Sequence, residues 1–137
     1  MSSPLSQALT AGRSGRIFAA MSREYHTFDE FWPFYLREHS EARTRALHYI
    51  GTTLVVAVAL AAVLTGNWWL LIALPVAGYF FAWVAHFFVE KNRPATFTYP
   101  LWSLFADFKM WALWLAGRLG PELDRAGVTE PRPAGKQ

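Results

Sequence analysis

The sequence predicts an all-α membrane protein: a transmembrane helical hairpin with an N-terminal interfacial amphipathic helix and a third interfacial, re-entrant or spanning helix. Three observations carry this. Between Arg45 and Glu90 the 44 residues from Ala46 to Val89 contain no Asp, Glu, Lys or Arg, whereas a helix in water must show charge on its outer face. Gly66-Asn67 divides the stretch with a turn signal. The halves, Ala46–Thr65 and Trp68–Val89, are each about 30 Å long at helical rise, enough to cross a bilayer. Finally, Arg37, Arg43 and Arg45 precede the first half and Lys91 and Arg93 follow the second, while the turn is uncharged. Both termini are therefore expected on the cytoplasmic side.

The elements follow in order. Residues 1–26 are Ser-, Ala- and Arg-rich at their start and are expected to be a disordered extension, with Met21 a possible second start. The domain is expected over 27–118. Thr27-Phe28-Asp29-Glu30 has the form of a capping box opening a helix, in which Glu30 would reach back to the Thr27 amide. Beyond it Phe28, Phe31, Trp32, Tyr35 and His39 share a helical face, opposite Glu30, Arg37, Glu38 and Glu41. An aromatic face against a charged one suits a helix lying in the membrane interface, kinked by Pro33. Trp68 and Trp69 fall at the hairpin turn, where aromatic residues gather at a membrane boundary. Pro75 and Gly78 permit a kink and a close approach between the spans. A further apolar segment, Tyr99–Ala116, carries Asp107 and Lys109. Burying either at mid-bilayer costs about 2.5–3.5 kcal/mol, which favours an interfacial or re-entrant helix over a third span. Residues 119–137, rich in Pro, Gly and charge, are expected to be a disordered tail.

The chain has no cysteine, which excludes disulfides, iron–sulfur clusters and thiolate-ligated metals. Its net charge of +3 sits beside the apolar stretch and reads as membrane topology, so no nucleic-acid partner is implied. Attention falls on the histidines. His48 lies 18 residues before Gly66 and His86 lies 19 after Asn67, so an antiparallel hairpin puts both at one depth within about 1.5 Å. His39 arrives at that level from the preceding helix, and Glu90 follows His86 by one helical turn. Ionisable groups against a membrane span are costly and usually functional. His39, His48, His86 and Glu90 are accordingly candidate metal ligands and catalytic residues. Imidazole with carboxylate suits iron, zinc, copper or nickel. Lys91 and Arg93 are candidates for binding a substrate carboxylate, and the setting suits a fatty acid or lipid whose head reaches the interface. His26, in a polar stretch, is expected to be a bystander.

The segments Phe34-Tyr35-Leu36-x-x-His39, Arg45-x-x-His48-x-x-Gly51 and Gly78-Tyr79-x-x-Ala82-Trp83-x-x-His86-x-x-x-Glu90-Lys91-Asn92-Arg93-Pro94-Ala95-Thr96 resemble the Mpo-like family. The resemblance implies an iron(II)-dependent dioxygenase of fatty acid α-oxidation, using dioxygen to shorten a 2-hydroxy fatty acid by one carbon. It implies Fe(2+) held by His39, His48 and His86, with Glu90 as ligand or ligand partner. Asp107 would support a histidine through its free ring nitrogen. Asn92 stands where other members carry a basic residue. An integral location in a bacterial inner membrane, or in the endoplasmic reticulum of a eukaryote, accompanies this reading. Two other functions stay open on the residues alone: a non-catalytic membrane scaffold, and a different metal-dependent lipid enzyme such as a zinc hydrolase.

Overall fold

A computed structural model describes residues 24–129. Residues 1–23 and 130–137, with most of the expected N-terminal extension and the end of the expected tail, lie outside the described residues. The described chain is helical and, within it, no strand occurs. Helix α1 is Phe28–Arg37, α2 is Ala42–Thr65, α3 is Ala73–Val84, α4 is Pro100–Leu115 and α5 is Leu119–Arg125.

Local chemistry explains the boundaries. Thr27 is extended and its hydroxyl accepts from the Glu30 amide, as the capping box requires. The Glu30 carboxylate reaches the His26 amide, one residue earlier than expected. Helix α2 ends at Gly66, whose φ of 68° supplies the left-handed cap that glycine takes without strain. The second apolar half then winds in three ways: 3₁₀ over Trp68–Ile72, α over α3, and π over Ala85–Glu90. Lys91, at φ 57°, stops it.

Helices α2 and α3 pack along each other, and α2 also meets α4. Gly51 makes the first contact close: a Cβ there would stand 3.2 Å from Phe81 Cβ and 3.3 Å from the Ala77 carbonyl oxygen. Both apolar helical segments, Ala42–Thr65 and Trp68–Glu90, are long and apolar enough to cross a membrane. They bury little of themselves, and Leu64, Trp69, Val76 and Phe88 are each more than two-thirds exposed. A surface so apolar is a contact surface for something other than water.

The closely packed core lies elsewhere, among α1, α4 and α5. Phe31, Trp32, Tyr35 and Leu36 are buried there with Ala106, Met110, Leu119 and Leu123. Two expectations change. The aromatic face of α1, assigned to lipid, is covered by protein, because α4 and α5 pack onto it. Residues 119–129, assigned to a disordered tail, instead form α5 and a following turn. Leu119, Leu123, Ala126 and Val128 are buried, and the Trp32 indole donates to Glu122. Leu119, Leu123 and Ala126 at i, i+4, i+7 spacing, with Val128 packed beyond the helix end, outweighed the Pro and Gly content of the segment.

Candidate metal centre

Three elements deliver three histidines to one point. His39 follows the end of α1, its amide donating to the Leu36 carbonyl and its ring stacked on Tyr35 at 4.1 Å. The Arg45 guanidinium donates to the carbonyl oxygens of His39 and Ser40 at 2.8 and 2.7 Å, fixing the loop between α1 and α2. His48 projects from the second turn of α2, and His86 from the π-helical segment. All three are buried, and one ring nitrogen from each lies within 4.8 Å of the others.

The outer ring nitrogens determine what the inner ones can do. His39 Nδ1 lies 2.6 Å from the Tyr35 carbonyl oxygen. His48 Nδ1 lies 3.3 Å from Asp107 Oδ1, and His86 Nδ1 lies 2.8 Å from Asn92 Oδ1. Against a carbonyl and a carboxylate, the Nδ1 of His39 and of His48 must be the donor, which leaves each Nε2 a bare lone pair when the ring is neutral. Burial, reinforced by the neighbouring imidazoles, holds His39 well below the usual histidine range, so it is neutral at pH 7. Yet His39 Nε2 and His48 Nε2 face each other at 3.1 Å. Two buried acceptors in that position repel unless a cation is shared between them. Metal–nitrogen bonds of about 2.0–2.1 Å put two ligand nitrogens about 2.9 Å apart at a right angle and about 3.4 Å apart in a tetrahedron. The observed separation falls between. That pair thus fits direct ligation, and the three imidazoles together are placed to hold a metal ion, with an oxygen partner behind each ring, as metal-ligating histidines require.

The other expected site residues are distributed differently. Asp107, which the resemblance assigned to the support of an unspecified histidine, stands behind His48 and also accepts from the Tyr35 hydroxyl. Glu90 is not among the converging ligands. Its carboxylate accepts from the Ser40 hydroxyl and the Glu41 amide, because the start of α2 offers unsatisfied N–H groups there. The π-helical winding after Ala85 also breaks the register that placed Glu90 below His86. Lys91 and Arg93 are exposed; the Arg93 guanidinium lies over the Phe97 ring, and neither residue lines the cavity beside the histidines. His26 is exposed, away from the site. Sequence reasoning missed Tyr35 and Asn92. Asn92 bridges His86 to the Glu38 carbonyl and carboxylate, and its place beside the Lys91 turn is invisible to periodicity.

A cavity of about 380 Å³ opens from the histidines, within the range of about 300–1,000 Å³ usual for small-molecule sites. Its polar end is Tyr35, Asp107 and Ser103 with the imidazoles; Val55, Leu74, Gly78, Trp83 and Phe108 wall the rest. The Ser103 hydroxyl is buried with no hydrogen-bond partner, an arrangement costly unless a ligand supplies one. One side lies open between Tyr79 and Trp83 of α3 and Leu104 and Phe108 of α4, all at least a third exposed.

A family described as 2-hydroxy-palmitic acid dioxygenase Mpo1-like matches residues 25–119. No curated protein and no solved structure matches the chain.

Proposed function

Because the chain belongs to the Mpo1-like family, we propose that it is an iron(II)-dependent membrane dioxygenase that shortens 2-hydroxy fatty acids by one carbon. The observation that carries this is the convergence of three buried imidazoles at the polar end of a largely apolar cavity. His39, His48 and His86 are the ligands, and a metal bound there would supply dioxygen activation and charge balance for a carboxylate. Among the described residues no lysine or arginine lines the cavity, so the second duty cannot fall to a side-chain cation. Asp107, Asn92 and the Tyr35 carbonyl hold the rings in orientation. Ser103, with its unsatisfied hydroxyl, is assigned to the polar head of the substrate. The apolar walls receive the alkyl chain and exclude water.

The two apolar helices form a transmembrane hairpin in this reading, with α1 and the histidines at the cytoplasmic boundary. The open side between α3 and α4 then faces lipid, so a fatty acid enters without crossing water. The test pairs metal analysis of detergent-purified protein with oxygen uptake on 2-hydroxypalmitate. Stoichiometric iron and uptake are expected, and single His39→Ala, His48→Ala or His86→Ala substitutions should remove both. Folded protein with neither property would sink the proposal. A zinc hydrolase is the second reading, favoured by one feature: three histidines without a carboxylate also form catalytic zinc sites. Turnover of a lipid ester without oxygen would decide for it.

A further inference from the structure

The cavity extends far beyond what a metal and a head group need, and two helices measure its depth independently. Along α2 its wall runs from His48 through Thr52 to Val55, about 10 Å at helical rise. Along the second apolar segment it runs from His86, at the start of the π winding, into α3 at Gly78 and on to Leu74, about 12 Å and about 18 Å from the start. The two scales agree where they meet. A Cβ on Gly78 would stand 3.4 Å from Val55 Cγ2, with no other atom within 4 Å. That is ordinary contact on one side and open space on the rest, so Gly78 leaves the lumen clear where any longer side chain would enter it.

The wall between these points is apolar, with Val55, Leu74, Trp83 and Phe108 facing the cavity, and it suits the alkyl chain of the substrate proposed above.

We propose that Gly78, facing Val55, and Leu74 at the far end form a ruler for a single alkyl chain whose head lies at the histidines. The ruler rests on the reading of that end as the head-group site. An extended chain advances about 1.25 Å per carbon, from a C–C bond of about 1.5 Å at a near-tetrahedral angle. The lumen then takes about 14 carbons to Leu74, but about 10 to Gly78. Gly78→Leu should therefore shorten the longest chain accepted by about 4 or 5 carbons. Leu74→Ala should lengthen it.

The test measures binding of saturated 2-hydroxy acids of graded chain length, by displacement of a spin-labelled fatty acid from detergent-purified protein, with oxygen uptake recorded in parallel. Comparing profiles between proteins cancels partitioning into micelles. Gly78→Leu should weaken binding of the 16-carbon acid by about tenfold or more, as buried methylenes are lost, while the 10-carbon acid binds as before. Leu74→Ala should move the optimum the other way, and it decides the matter if Gly78→Leu fails to fold. Identical chain-length profiles in the folded variants and the parent would overturn the ruler. A shifted profile without oxygen uptake would sink the dioxygenase reading and leave the ruler standing.

Discussion

At the scale of single residues, the site is organised by what lies behind each imidazole. A backbone carbonyl, a carboxylate and a carboxamide hold the three Nδ1 atoms. Removing one should cost metal affinity without removing a ligand. Asp107→Ala is expected to weaken metal binding about 10–100-fold, measured by competition with a chelator. Glu90→Gln should leave metal content unchanged, because its carboxylate serves Ser40 and Glu41 instead; loss of metal in that variant would restore Glu90 as a ligand. The pH dependence of the metal-free protein follows from His39. Burial holds its folded value well below the ordinary one, while the unfolded chain protonates near about 6.5. The unfolded state thus binds the extra proton as pH falls, so stability is full above about pH 6.5 and declines below it. Denaturant unfolding across pH 5–8 would show this slope, and a rise in stability toward acid would contradict it. Of these residues the histidines were legible in the sequence, since ionisable groups beside an uncharged stretch stand out, whereas Asp107 entered only through the family resemblance. Tyr35 and Asn92 were not legible, because an aromatic residue on a helix face and a turn amide look ordinary until the fold brings them to a histidine.

At the scale of elements, the uncharged stretch and its glycine turn located both long helices closely. Helix α2 begins only four residues before the expected Ala46, and the segment from Tyr99 to Ala116 contains α4. What pattern could not foresee was winding. An argument from i, i+4 spacing assumes α-helix, but Ala85–Glu90 is π, and this decides that Asn92 rather than Glu90 serves the site. π-helical turns are frequent at functional sites, and here the winding precedes the αL residue Lys91 that brings Asn92 back to His86. Deleting Val89 should let the segment wind as α-helix and draw Asn92 away from His86. Helical content by circular dichroism should hold while metal binding drops; unchanged metal affinity would show the π winding to be incidental. The same limit applies to α1, whose amphipathic pattern defined an apolar face without saying whether lipid or protein would cover it.

At the scale of the whole molecule, the chain divides its burial. Helices α2 and α3 leave large apolar side chains exposed, while α1, α4 and α5 enclose an aromatic core. The core fixes the position of α1 and, through the His39 loop, one of the three ligands. Ending the chain after Arg118 removes four buried side chains and the Glu122 partner of the Trp32 indole. That truncation should lower the melting temperature of the purified protein and reduce metal retention through His39, although no ligand is touched. An unaltered melting curve would show α5 to be dispensable. By itself the sequence determined the helical class, the two apolar segments, their turn and the common depth of His48 and His86, because each depends on composition or on counting along one helix. The tertiary structure alone decided which ring nitrogens meet, which oxygens stand behind them, that α5 closes the core and that Glu90, Lys91 and Arg93 turn away. Those outcomes depend on side chains from distant segments competing for the same partners, and no periodicity along the chain records which of them wins.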